Sequence, residues 1–259
     1  MQVAGKSREL PGRVSVMGVP IDPWTMRETV MYAKQAVDGG LFAHFIGVNA
    51  DKLLQMRDNP ALDAAVRRCE VINADGASIV LASRLLGTRL PERVAGIDLL
   101  YELCSLAQNE GYGVYLLGAH KEIVGQAGEH LLGRYPGLRI VGTRDGYFGP
   151  DEYGEVADEL ARVSPDITFV GITSPKKEEL IEFFRHRGLT GVFVGVGGSF
   201  DVVSGSLARA PLWMQRMGLE WLFRLVQEPG RLFARYAVGN ARFLCLVLRE
   251  MGLMLRGRS

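Results

Sequence analysis

The sequence predicts an α/β fold, a Rossmann-like parallel sheet flanked by helices, followed by a helical C-terminal appendage. Three observations carry this. Apolar runs of strand length alternate with helix-length amphipathic segments; the runs lack in-and-out alternation, the mark of a parallel sheet buried on both faces; and several end in a glycine-containing turn. With 259 residues, 47% hydrophobic and 23% charged, the chain has ample material for one large domain or two small ones, and its composition excludes disordered and collagen-like classes.

In chain order the predicted strands are Leu41–Val48, Glu70–Asn73, Gly113–Leu117, Arg139–Gly142, Ile167–Gly171 and Gly191–Val196. Between them the pattern predicts helices at Met26–Asp38, Asp51–Asp58, Pro60–Cys69, Gly76–Leu86, Gly96–Glu110, Lys121–Tyr135, Pro150–Ser164 and Lys176–Arg187, then a long helical C-terminus. Ligands of open α/β sheets bind outside the carboxyl ends of the strands, so the turns at Gly118, Gly142, Gly171 and Gly195 to Gly198 are expected to line the site.

The formal charge of +1 gives no overall field that would draw in nucleic acid. It hides an asymmetry. Residues 212–259 carry eight arginines, no lysine and three glutamates, a local +5 that leaves −4 for residues 1–211. This composition shift near Pro211 divides an α/β body, residues 1–211, from an appendage, residues 212–259. Cys69, Cys104 and Cys245 form no CxxC pair, which points to a reducing, cytoplasmic compartment. Met1 to Arg13 lack the apolar stretch of a signal peptide, and no uncharged apolar run of about 18 residues is present. The four histidines show no metal-ligand spacing, and no metal or cofactor is expected.

Two common nucleotide signatures are absent. In Gly195-Val196-Gly197-Gly198-Ser199-Phe200 the third glycine of GxGxxG is replaced by Phe200, and there is no GxxxxGK[ST]. The loop still exposes backbone N–H groups suited to an anion, although a tight strand-to-helix turn explains it equally. Asp75, in Asn73-Ala74-Asp75-Gly76, stands between a strand end and a helix start. It suits either an N-cap or a general base toward a hydroxyl. Asn49 ends the first strand beside the same pocket. Arg93, just before a helix, is either solvated surface or a bidentate phosphate clamp. Lys176 and Lys177 open another helix, where their charge opposes the dipole and a bound anion would relieve it.

Seven ordered motifs then resemble the WecG/TagA/CpsF glycosyltransferases. They are Asn73-Ala74-Asp75-Gly76, Pro91-Glu92-Arg93-Val94 with Gly96 and Asp98, Gly146-Tyr147-Phe148, Ser174-Pro175-Lys176-Lys177-Glu178, Gly195-Val196-Gly197 with Phe200-Asp201 and Gly205, Arg209-Ala210-Pro211, and Leu219-Glu220-Trp221-Leu222-Phe223-Arg224-Leu225 with Glu228-Pro229 and Arg231. The resemblance implies an inverting enzyme that moves a sugar from a UDP-sugar to a polyprenyl-diphosphate-linked acceptor at the inner membrane face. It places the catalytic base on Asp75 and diphosphate binding on Arg93. With Lys177, Arg93 would stabilise the departing UDP; Asn49, Gly76, Gly118, Gly171, Glu178, Gly195, Gly197 and Asp201 fall around the substrate pocket. The chain has no Asp-x-Asp pair, in keeping with a family that does not rely on a divalent metal. Gly47 stands where family members often carry Thr, and Lys177 where they often carry Gln. A relative that binds UDP-sugar as an assembly protein without turnover is the alternative.

The appendage adds its own signal. Pro229-Gly230 predicts a break and then a helix over residues 231–256. Arg224, Arg231, Arg235, Arg242, Arg249 and Arg256 are spaced so that, at about 100° per residue, they share an arc of roughly 60°. An Arg-only stripe within a broad apolar surface suits an interfacial helix on anionic lipid. A core helix and a homo-oligomer contact are the competing explanations. Under the resemblance this segment is an appendage that docks on the membrane and completes the active site.

Overall fold

The computed structural model describes residues 10–256. A short antiparallel hairpin, β1 (Val14–Val16) and β2 (Val19–Ile21), precedes α1 (Met26–Asp38). There follow β3 (Phe42–Val48), α2 (Ala50–Asp58), α3 (Pro60–Arg67), β4 (Val71–Ala74), α4 (Ala77–Leu85), α5 (Gly96–Glu110), β5 (Gly113–Gly118), α6 (Lys121–Arg134) and β6 (Arg139–Arg144). A 3-10 turn, Pro150–Glu152, leads to α7 (Tyr153–Val163), β7 (Ile167–Gly171), α8 (Lys176–His186), β8 (Gly191–Gly195) and α9 (Ser199–Val203). The appendage is α10 (Leu212–Arg216), α11 (Glu220–Gln227) and α12 (Pro229–Arg256). β3 to β8 form one six-stranded sheet in the order β4-β3-β8-β7-β5-β6, every neighbouring pair parallel.

All six predicted sheet strands are present, with ends shifted by at most two residues. The hairpin was not anticipated. Its two-residue loop puts Met17 at φ 51° and Gly18 at φ 84°, the doubly left-handed turn that matches strand twist. Met17 lacks the Asn or Gly signature of such a turn, so the sequence does not advertise it.

Alternate residues of each strand face opposite layers. Phe45, Val114, Leu116, Phe169, Val192 and Val194 pack with Leu100 and Leu103 of α5 and Val124 of α6. Tyr115, Leu117, Val170 and Phe193 face Leu160 of α7 and Leu180, Ile181 and Phe184 of α8. Ile46, Val48 and Ile72 meet Leu53 of α2, Val66 of α3 and Ile79 of α4. That last layer also takes Phe243, Leu246 and Val247, so one face of α12 is seated on the body. Phe233, Leu244 and Leu248 of α12 stay exposed, as do Leu212, Trp213 and Met217 around α10. Among the described residues no helix is long and apolar enough to cross a membrane.

At the carboxyl edge the backbone approaches closely. A Cβ on Gly118, whose φ is 136°, would fall 2.5 Å from the Gly171 carbonyl, and one on Gly171 would fall 2.5 Å from the Phe200 ring. Fully buried Phe200 therefore joins α9 to the end of β7. Phe200→Ala is expected to cost about 3–5 kcal/mol through the cavity it leaves, measured as a lower midpoint in urea unfolding.

Candidate active site

The carboxyl ends of β3, β4 and β8 converge on Asp75. Its N–H donates to the Val48 carbonyl at 2.9 Å, which continues the strand pairing past β4. Its side chain does not cap the helix that follows: Gly76 is the N-cap of α4, without a side-chain bond. Instead Oδ1 accepts from the Gly96 N–H at 3.1 Å, in the first turn of α5. The reading of Asp75 as a cap of the helix that follows it is corrected. Asp75 does satisfy a helix start, but that of the next helix, and its carboxylate stands at the positive end of the α5 dipole. The intervening segment is stitched down on both sides of Arg93, by Val94 N–H to the Ala74 carbonyl at 2.9 Å and by Met26 N–H to Glu92 Oε1 at 2.5 Å.

Gly47 gives Asp75 its room. A Cβ there would lie 2.7 Å from the Asp75 Cβ, so a threonine at 47 would displace the carboxylate. A small gap beneath Gly47 and Gly96 is lined by Phe45, Ile46, Asn73, Val94, Leu99 and Val194, all of them buried; Asp75 itself is not part of its wall. Buried Asn73 donates to Thr29 Oγ1 at 3.1 Å, while its Oδ1 has no donor among the described residues. Asn49 is the N-cap of α2, accepting from Lys52 N–H at 2.9 Å; Gly76 packs against it.

On the α2 and α8 side of the sheet lies a buried ionic cluster. Lys52 Nζ donates to Glu178 Oε1 at 2.6 Å, Ser174 Oγ to the same oxygen at 2.8 Å, and Lys177 Nζ stands 3.6 Å from it. Lys52 also bonds Ser174. The Lys177 side chain runs under Gly195, where a Cβ would fall 2.9 Å from its Cε. Burial pushes the Glu178 carboxyl up, but Lys177, Lys52 and Ser174 outweigh it and hold the group at about 2. Burial, reinforced by Lys177, brings the Lys52 ammonium down to about 8 against the pull of Glu178. The expectation that the α8 lysines need a bound anion is corrected here: Glu178 answers Lys177, and Lys176 donates to the Gly146 carbonyl at 3.0 Å and to that of Phe148.

Arg93 is placed by charge. Its Nη1 lies 2.6 Å from Glu220 Oε2 and its Nη2 lies 3.7 Å from Asp98 Oδ2. Arg209 meets the same two carboxylates, Asp98 Oδ1 at 2.6 Å and Glu220 Oε1 at 3.7 Å. Asp98 belongs to the first turn of α5 and Glu220 to that of α11, so the appendage reaches the body here.

The remaining predicted residues are spread more widely. Gly118 and Gly171 serve backbone packing, Gly197 adopts φ 52° in the β8 to α9 loop, and half-exposed Asp201 lies in α9. Arg224 lines a second small cleft with Ala208, Arg209 and Glu220. Arg242 forms a two-armed pair with Asp58 of α2, both contacts at 2.9 Å, so it helps seat α12 as well as belonging to the stripe. Arg249 lies on α12; the side chains of Arg231 and Arg235 lie outside the described residues. Sequence reasoning missed Lys52, Asn73, Asp98 and Glu220 as site residues, and His120, whose ring stacks on exposed Tyr147 with centroids 4.1 Å apart. Asn73, Asp98 and Glu220 sit within motifs and His120 beside a glycine turn, a usable signal; Lys52 carries none. Among the described residues no group of three or more His, Cys, Asp or Glu is arranged to hold a metal ion.

The model of the Glycosyl transferase WecG/TagA/CpsF family matches residues 14–256. A relative from Bacillus spizizenii (strain ATCC 23059 / NRRL B-14472 / W23), named N-acetylglucosaminyldiphosphoundecaprenol N-acetyl-beta-D-mannosaminyltransferase, is 36% identical over 189 residues, 73% of either chain. A protein of the same name from Bacillus subtilis (strain 168) is 40% identical over 157 residues, 61% of this chain and 60% of its own length.

Removing the charge of Glu178 leaves two buried cations unpaired. Glu178→Gln is expected to lower stability by about 3–5 kcal/mol, whereas the triple change Lys52→Met, Lys177→Met, Glu178→Leu stays near the parent. The pH profile carries a second mark. The depressed Glu178 pKa contributes stability in full above about pH 4.5 and loses it as pH falls toward 2. The acid limb of urea-unfolding stability is accordingly shallower in Glu178→Gln.

Proposed function

The chain belongs to the WecG/TagA/CpsF glycosyltransferase family, and from that membership we propose an inverting, metal-independent transferase that moves a hexosyl group from a UDP-sugar to a polyprenyl-diphosphate-linked sugar. The relatives' names describe an N-acetylmannosaminyl transfer to N-acetylglucosaminyldiphosphoundecaprenol; the lipid-linked acceptor class is carried over from them.

The observation that carries this reading is Asp75, fixed through Oδ1 at the start of α5 and packed against Gly47 at the carboxyl end of β3, with Arg93 held on the adjoining segment. In the proposed step Asp75 takes the proton of the acceptor hydroxyl. Its oxygen attacks the anomeric carbon from the side opposite UDP, the carbon–oxygen bond to the phosphate breaks, and UDP leaves with the electron pair. Arg93 receives the growing phosphate charge in a bidentate fork, and Lys177 adds positive field from beneath Gly195. The stacked His120 and Tyr147 rings offer a flat face for the uracil base.

For an acceptor that stays in the bilayer, α12 supplies the contact. Its seated face carries Phe243, Leu246 and Val247; about a third of a turn away lie exposed Phe233, Leu244 and Leu248, and on the remaining side Arg242, Arg249 and Arg256. An apolar flank beside an arginine stripe favours peripheral attachment to the anionic inner leaflet over self-association.

Two experiments test this. A panel of UDP-sugars with polyprenyl-diphosphate-linked N-acetylglucosamine, read as UDP release, identifies the donor; Asp75→Asn is expected to lower that release about 10²–10⁴-fold while UDP affinity holds. Turnover retained in Asp75→Asn rejects the base, and UDP binding without release for every donor favours the assembly-protein alternative. Phe233, Leu244 and Leu248 replaced together by Ser are expected to lose co-sedimentation with phosphatidylserine vesicles, which in the parent also weakens with added salt.

A further inference from the structure

We infer that Glu220 is a positioning residue for Arg93, and that the two belong to a closed ring of four alternating charges on which the diphosphate site depends. The inference rests on the proposed role of Arg93. In the ring each carboxylate bridges both guanidinium groups with separate oxygens: Glu220 Oε2 to Arg93 and Oε1 to Arg209, Asp98 Oδ2 to Arg93 and Oδ1 to Arg209. The close contacts, both 2.6 Å, sit on opposite sides, and the two 3.7 Å contacts complete the circuit.

Two positives and two negatives neutralise one another, so the ring adds no net field toward a phosphate. What it adds is direction. A guanidinium offers five N–H groups in one rigid plane. Glu220 holds Nη1 and Asp98 stands by Nη2, which orients that plane and leaves the other N–H groups for a ligand. The Arg93 side chain is only 18% exposed and that of Glu220 21%, so water competes weakly for the short contact. Asp98 is fixed in the first turn of α5, the same turn whose Gly96 N–H holds Asp75. Glu220 is the only ring member from α10 to α12, and through it the seating of α11 reaches the phosphate-binding group.

The test is a binding cycle with UDP as the probe, on the full chain. Glu220→Gln is expected to weaken UDP about tenfold, with Glu220→Asp recovering most of it, and to raise the donor KM more than it lowers kcat. In an Arg93→Ala background the same Glu220→Gln change is expected to have no further effect. Asp98→Asn, which acts on the ring from the body, is expected to weaken UDP in the same Arg93-dependent way even if a Gln at 220 unseats α11. Unchanged or tighter UDP binding in Glu220→Gln, or an equal loss in the Arg93→Ala background, overturns the inference. If Arg93→Ala alone leaves UDP affinity unchanged, the phosphate role of Arg93 falls and this inference with it; if Arg93→Ala weakens UDP and Glu220→Gln does not, only this inference falls.

Discussion

The hydrogen bond from the Gly96 N–H to Asp75 Oδ1 organises the site. It joins the end of β4 to the start of α5 across 21 residues and answers two needs with one contact. A helix start has N–H groups to satisfy, and a half-buried carboxylate gains a donor and a fixed orientation from the same contact. Because α5 begins there, Asp98 falls in its first turn, within reach of Arg93 and Arg209. Gly47 is the condition for the arrangement, since any Cβ at that position would enter the space of Asp75.

Two charge clusters flank this bond and work differently. Lys52, Lys177 and Glu178 are almost wholly buried; there a carboxylate is held ionised by two cations, and removing it leaves them exposed to the full cost of desolvation. The ring of Arg93, Glu220, Arg209 and Asp98 is partly open to water and electrically balanced. The first cluster fastens α2 to α8 across the middle of the sheet. The second orients Arg93, the proposed phosphate-binding group.

The legible parts of the sequence were those governed by local rules. Buried parallel strands read as unbroken apolar runs, and all six sheet strands were located that way; the break read at Pro229-Gly230 is instead the first turn of α12, where proline's missing N–H is tolerated. Asp75 was identified as a site candidate from its place between strand and helix, but the partner that fixes it, Gly96, belongs to another helix. The same holds for Lys52 with Glu178, 126 residues apart, and for Arg93 with Glu220. Periodicity says which face of an element is buried and nothing about which distant charge lies opposite. The β1–β2 hairpin escaped for a local reason, a left-handed Met17 where glycine or asparagine would have signalled the turn.

The apolar residues of α12 divide between two faces. A helix that only docked on the body would need one apolar face, and one that only lay on lipid would need one apolar face with a basic border. α12 has two apolar faces, separated by about a third of a turn: Phe243, Leu246 and Val247 buried on α2 and its neighbours, Phe233, Leu244 and Leu248 left outward. Arg242 sits between body and stripe and pairs with Asp58, so part of the basic face is spent on seating. The breadth of the apolar surface in the sequence is therefore the sum of two narrower faces. The outward one is left uncovered by the body, and its angle to the body is set by the inward one.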